Sequence, residues 1–266
     1  MVENTRSTVE PKLKTLEAQI AAASRTWADR FAAAVRASGR ATCEVADMVG
    51  RYAEAFTAGY RERYDAEEAL ADIAVIESLA DGEPVRIRAF RRAADSKTQL
   101  RFKLYRPAQP APLADVLPIL ENMGLKAMVE SGYPVTPAGG RRVWVHEFEL
   151  DDQHGEHLVF EEVKTAFEDA FTAVWTGATE NDGFNRMVLE LSISWREAAL
   201  IRALARYRQQ SGLDPSQRVQ ETALSNYPEV ARLILDLFRT KFDPAIGADL
   251  AHRTAKAAVV MDEIVQ

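Results

Sequence analysis

The chain has 266 residues, 47% of them hydrophobic and 27% charged, with a formal net charge of -7 and one cysteine, Cys43. These values exclude a disordered, collagen-like or disulfide-built chain, and the acidic balance argues against nucleic acid as a partner. No run approaches the roughly 18 apolar residues of a membrane span, and the opening MVENTRSTVEPK lacks a secretory pattern, so the expected setting is the cytoplasm.

From Glu10 to Ser38, Leu13, Leu16, Ile20, Trp27, Phe31 and Val35 recur at helical spacing, which predicts one long helix with Pro11 in its first turn. A second helix is expected from Cys43 to Tyr60 through Val45, Met48, Val49, Tyr52 and Phe56. Asp65 and Glu68 form a capping box for a third, which Asp81 and Gly82 stop. The period then changes from helical to alternating. Val85 to Phe90 and Leu100 to Tyr105 read as two strands of a hairpin joined by a polar turn, Ala93 to Lys97. Its basic residues, Arg86, Arg88, Arg91, Arg92, Arg101, Lys103 and Arg106, are the nearest approach to a nucleic-acid patch; their alternation with apolar residues reads instead as a solvated strand face.

Leu113, Val116, Leu117 and Leu120 predict a short helix ending at Gly124, begun or kinked by Pro118. Two strands follow, Lys126 to Glu130 and Arg142 to Leu150, the second with Trp144, His146, Phe148 and Leu150 on one face; then comes a helix from Phe160 to Trp175. The order strand, strand, helix, strand, strand, helix is that of an α+β two-layer sandwich. Everything after Gly177 reads helical, with start signals at Ser194/Glu197, Asp214 to Gln217 and Asn226 to Glu229, a stop at Asp243-Pro244 and a last helix from Gly247.

Motifs for chemistry are sparse. No G-x-G-x-x-G, G-x-S-x-G or G-K-[ST] occurs, and His146-Glu147 lacks the second histidine of a zincin. Asp151, Asp152, His154 and His157 could wrap a divalent ion, although the stretch DDQHGEH reads better as a polar loop. The run ENDGFNR, Glu180 to Arg186, gathers an acid pair, two asparagines and an arginine without a nucleophile and base; Asn181 or Asp182 reads as a helix cap, with Arg186 pairing back to Asp182.

Five segments, taken in order, resemble a known family: YAEAFTAGYRERYDAEEALADIAVIESL, LADVLPILENMGL, AFEDAFTAVWTG, ENDGFNRMVLELSISWREAALIRALARYRQQSG and RLILDLFRTKFDP. They are similar to the central region of the large bacterial NAD-dependent glutamate dehydrogenases. The resemblance implies a piece of a several-fold longer polypeptide, holding its third ACT-like module and flanking helical motifs; Met1 and Gln266, each inside helical sequence, fit such a piece. It implies three segments: residues 1–64 a helical linker, 65–177 an ACT-like ββαββα sandwich, and 178–266 a helical bundle region. The parent would deaminate L-glutamate with NAD as a homotetramer, but the family's catalytic lysines and dinucleotide-binding glycines have no counterparts here. The chain itself is therefore expected to be a non-catalytic regulatory and assembly segment without a cofactor or metal site, partnered by the rest of the parent and neighbouring subunits. An amino-acid effector is expected, if anywhere, at Glu121, Asn122 and Gly124, a turn that also reads as a simple helix C-cap. The competing readings are a self-contained enzyme or metal-binding protein using His146, Glu149, Asp151, His154 and His157, and an adaptor whose first helix pairs with an unrelated protein.

Overall fold

Thr26 is extended, at φ -69° and ψ 164°, and its hydroxyl accepts the Asp29 N–H while Asp29 bonds back to the Thr26 N–H. This capping box starts helix α1 at Trp27, so the helix expected from Glu10 to Ser38 does not run through Thr26; α1 is Trp27–Ala37, and the part of the stripe before residue 25 lies outside the described residues. The computed structural model describes residues 25–153, 159–213, 216–246 and 250–265. They cluster into two compact units, one comprising residues 25–78 and 133–143, the other 79–132 and the described residues from 144 onward. The third predicted helix groups with the first unit, and the helical segments from Gly183 to Phe242 share one hydrophobic core with the sheet.

In the first unit α1 is followed by α2, Thr42–Tyr52, α3, Ala58–Arg63, and α4, Ala66–Ser78. The helix expected to run on to Tyr60 ends at Tyr52 because the backbone beyond it is used in long-range pairing. Ala138 N–H donates to the Arg51 carbonyl, Thr136 N–H donates to that of Ala55, and Phe56 bridges Val135. Local periodicity carries no trace of such a partner. The core is aromatic: Trp27 stacks on Phe31 at 5.3 Å, Phe56 on Tyr60 at 4.5 Å, and Tyr133 meets Tyr60 edge-on at 5.7 Å. The buried Tyr60 hydroxyl donates to Asp72 at 2.5 Å. Glu68 N–H donates to Asp65 at 2.8 Å, the cap foreseen for α4.

The sheet strands are β1, Arg86–Phe90, β2, Gln99–Pro107, β3, Leu125–Val135, and β4, Val143–Asp152, in the order β1-β2-β4-β3. The first two form the expected antiparallel hairpin, with Arg86 opposite Tyr105 and Phe90 opposite Arg101. Helices α5, Leu113–Asn122, and α6, Phe160–Trp175, complete the α+β arrangement. Pro118 lies within α5, which starts at Leu113. Alternation puts Leu100, Phe102 and Leu104 of β2 and Phe148 and Leu150 of β4 into the core, where Phe102 stacks on Phe148 at 4.9 Å and packs on Phe167 and Phe171 of α6. That core continues through Phe184, Met187, Val188 and Ile201 to Ala231 and Leu235. These lie on a 3-10 turn, Gly183–Arg186, and on α7, Met187–Glu190, α8, Trp195–Gln210, and α10, Pro228–Phe242; α9 is Gln217–Asn226 and α11 is Leu250–Val265. Ser194 and Glu197 form the predicted capping box of α8.

The opposite strand face corrects the reading of the basic run as solvated. Lys103 is fully buried and Glu147 is 1% exposed. Glu147 takes two hydrogen bonds from Arg92, at 3.0 and 3.1 Å, and one from Arg101 at 3.2 Å, while Arg101 also holds Asp95 and Glu149. The Arg88 guanidinium lies over the Phe90 ring at 4.8 Å. These cations are spent on carboxylates and an aromatic ring, which is why a sequence rich in arginine here presents no bare basic face. Burial pushes Asp95 upward, but its bonds from Arg101 and the Arg92 N–H outweigh that and hold its carboxyl below the usual value.

On β1 the Ala89 N–H donates to Glu168 of α6 at 2.7 Å. Burial raises the Glu168 carboxyl above its ordinary value even though that N–H works the other way. A carboxyl raised in the folded state contributes stability that is present below its unfolded value and is lost as pH rises through the folded one. Glu168→Gln keeps an acceptor for Ala89 and carries no charge. It is expected to be more stable than the parent at neutral pH and equal to it near pH 4; an unchanged difference across thermal melts at pH 4 to 7 would contradict this.

Candidate functional site

The run ENDGFNR resolves into a joint. Asp182 is extended and its carboxylate accepts the Phe184 N–H, capping the 3-10 turn as expected. The partner of Asp182 is Arg202 of α8, not Arg186: Arg202 Nε and Nη2 donate to its two oxygens at 2.7 and 2.9 Å. The N-cap lies outside the helical turn, and the turn itself is 3-10, so residue 186 does not come round to face 182. Arg202 is 4% exposed and also bonds Asn185 Oδ1 at 2.8 Å and Thr179 Oγ1 at 3.1 Å, and Gln217 of α9 donates to Asp182 at 3.0 Å. Gly183 lets Glu221 come close, since a Cβ there would meet its carboxylate oxygen at 3.0 Å.

The expected effector turn caps α5. Gly124 has φ +81°, follows the C-cap Met123, and its N–H donates to the Glu121 carbonyl at 3.0 Å. Asn122 donates to Asn181 at 3.0 Å. The same turn also borders two cavities that share Arg186, Ser225 and Asn226. The larger, about 370 Å³, is reached by Gly124 and Met123, Asp152 of β4, Val159, Glu162 and Val163 at the start of α6, and Arg186, Leu189, Glu190 and Ser192. Ser225, Asn226, Pro228 and Arg232 close it from α9 and α10. The smaller, about 200 Å³, takes in Glu121, Asn122, Gly183, Arg218 and Glu221 together with Arg186, Ser225 and Asn226. A Cβ at Gly124 would stand 3.1 Å from Arg186 Nε, so the bare glycine gives this side chain its seat. Ser192 is held at φ +53°, a backbone region that non-glycine residues seldom adopt. Glu121, Asn122 and Gly124, singled out in the sequence, line these cavities together with Arg186, Ser225 and Asn226, while Ser192 and Arg232 reach the larger one from later in the chain.

Among the described residues the competing enzymatic cluster is not assembled. His146 and Glu149 are an odd number of residues apart on β4 and therefore point to opposite faces. Glu149 pairs with Arg101 at 2.6 Å. The His146 ring stacks between Trp144 and Phe148. Its Nε2 accepts the Ala111 N–H at 3.1 Å, which places the ring proton on Nδ1, donating to Glu130 at 2.7 Å. Gly132 leaves room for that ring, since a Cβ would sit 3.0 Å from it. Among the described residues no group of three histidine, cysteine or acidic side chains could hold a metal; His154 and His157 lie outside them. No helix of the described residues is long and apolar enough to cross a membrane.

Three family models match the chain in order: glutamate dehydrogenase helical motif 2 over residues 44–79, its ACT3 domain over 84–163 and its helical motif 3 over 179–244. The chain is similar to the NAD-specific glutamate dehydrogenase of Halomonas elongata, 32% identical over 265 residues that cover 98% of this chain and 16% of that protein. It is also similar to those of Pseudomonas aeruginosa and Mycobacterium tuberculosis, each 34% identical, over 85% and 89% of this chain and 14% of each relative. It thus spans about a sixth or less of their length. The chain belongs to the glutamate dehydrogenase family, as the stretch that carries helical motif 2, the ACT3 domain and helical motif 3.

Proposed function

We propose that this chain is a non-catalytic regulatory and assembly segment of a large NAD-specific glutamate dehydrogenase, whose whole polypeptide converts L-glutamate and NAD to 2-oxoglutarate, ammonia and NADH in the cytoplasm as a homo-oligomer. The observation that carries the reading is the ordered match to two helical motifs and an ACT domain. The fate of the chemistry-bearing side chains supports it: His146, Glu147, Asp182 and Arg202 are each engaged by partners within their own unit. NAD would be held elsewhere in the parent, and an amino-acid effector would act at the cleft that borders Glu121, Asn122 and Gly124.

The purified chain is expected to form no NADH from L-glutamate and NAD, and to leave NADH fluorescence unchanged on titration. Deleting the corresponding stretch from the Pseudomonas aeruginosa relative is expected to abolish its assembly or its response to effectors. Turnover by the isolated chain, or a deleted relative with unchanged assembly and regulation, would remove the proposal.

A further inference from the structure

Apolar surface is left in solvent mainly on one hairpin. Of the thirteen large hydrophobic side chains that stand exposed among the described residues, five, Phe242, Leu250, Val259, Met261 and Val265, belong to α10 and α11. Leu250, Thr254, Ala258, Met261 and Val265 follow one another at steps of four, four, three and four residues, which sets them on one strip of α11. The hairpin is firm without a cover over that strip. Arg253 Nη1 donates to the Lys241 carbonyl at 3.0 Å and Nη2 to that of Asp243 at 2.6 Å, so its guanidinium takes up carbonyls at the end of α10. An apolar face held this rigidly in water is the mark of an interaction surface.

A groove of about 490 Å³ runs along the strip, with Lys241 of α10 on its rim and Leu250, Ala257, Ala258 and Met261 of α11 as its floor. Its polar groups are mostly spent: the Thr254 hydroxyl donates to the Leu250 carbonyl at 2.8 Å, and Arg253 is on the carbonyls of α10. Lys241 is exposed and makes no ion pair among the described residues. A small polar ligand would find one ammonium and little else, whereas an amphipathic helix can lay an apolar stripe on the floor and a carboxylate on that ammonium. No acidic side chain lines the groove, so a second copy docking through the same face would bring cation against cation. The remaining source is the parent itself, since the chain covers 16% of the Halomonas elongata relative and most of such a polypeptide lies outside it. A helix tethered in the same chain docks at a local concentration on the order of millimolar. We propose that the α10–α11 groove seats an amphipathic helix of the same parent polypeptide, drawn from outside residues 1–266, with apolar side chains on Leu250, Ala258 and Met261 and a carboxylate on Lys241. The assignment rests on the segment reading above and names the surface through which the segment is built into its parent.

The test is hydrogen–deuterium exchange of residues 250–265 in the isolated chain and in the full-length enzyme that carries it. Exchange there is expected to be slower by about tenfold or more in the enzyme. Met261→Asp and Lys241→Glu are expected to abolish that protection and Lys241→Arg to keep it. All three should leave the Tm of the isolated chain within about 1–2 °C, because both side chains are exposed, so the variants report docking rather than folding. Equal exchange in chain and enzyme, undiminished protection in Met261→Asp, or equal protection in Lys241→Glu and Lys241→Arg would overturn the proposal. So would protection in the isolated chain that grows with its concentration, which assigns the face to a second copy. Protection in the enzyme that disappears when its subunits are separated by dilution would assign the face to a neighbouring subunit and overturn it equally. The deletion experiment on the relative does not depend on which surface is covered, so the docking face and the regulatory reading fall separately.

Discussion

Replacing Arg202 with alanine is expected to destabilise the second unit by about 3–5 kcal/mol, the penalty for removing one partner of a buried, hydrogen-bonded ion pair. The side chain is 4% exposed and gathers Asp182, Asn185 and Thr179, and it also reaches the Glu180 carbonyl. Without it, Asp182 keeps only Gln217 and the Phe184 N–H, and the fully buried Phe184 loses the clamp that sets its turn against α8. Urea unfolding followed by circular dichroism measures the loss. Arg206, one turn further along α8, pairs with Glu180 at the surface, and its replacement is expected to cost little because solvent and salt screen such a pair. Equal effects of the two substitutions would mean that the ENDGFNR turn is held by packing alone.

The same turn shows which parts of the fold can be read from sequence. The Asp182 cap, the Ser194/Glu197 box and the Asp65 cap rest on residues at most three apart, and each appears where its spacing places it. The sheet hairpin and α6 follow from unbroken alternation and unbroken helical period. What stayed hidden depends on partners distant in the chain. Asp182 and Arg202 are 20 residues apart; the end of α2 at Tyr52 is fixed by residues 135–138; the break at Thr26 sits within an apolar stripe that continues on both sides of it. The candidate site divides the same way. Gly124 is visible because a glycine after a helical period announces a positive φ, whereas Arg186 reads like any helix-surface arginine until the turn geometry aims it at the cleft.

The basic strand face yields the other large effect. Glu147→Ala is expected to cost about 3–5 kcal/mol, because its carboxylate, 1% exposed, neutralises Arg92 and Arg101 directly and stands 3.9 Å from the fully buried Lys103. Removing it leaves a buried ammonium beside two guanidiniums. Desolvation also fixes the sign of the double substitution. Replacing Lys103 by Met and Glu147 by Leu together removes the costly charges as a pair and fills a similar volume, so most of the loss should return. Arg101 remains balanced in that variant by Asp95 and Glu149, and Arg92 is 38% exposed in its side chain and can turn to water. A double-mutant cycle from denaturant unfolding separates the possibilities. Strong non-additivity with recovery marks a mutually compensating buried pair, while additive losses would show that Lys103 and Glu147 are each held by other groups and that the network is not centred on this carboxylate.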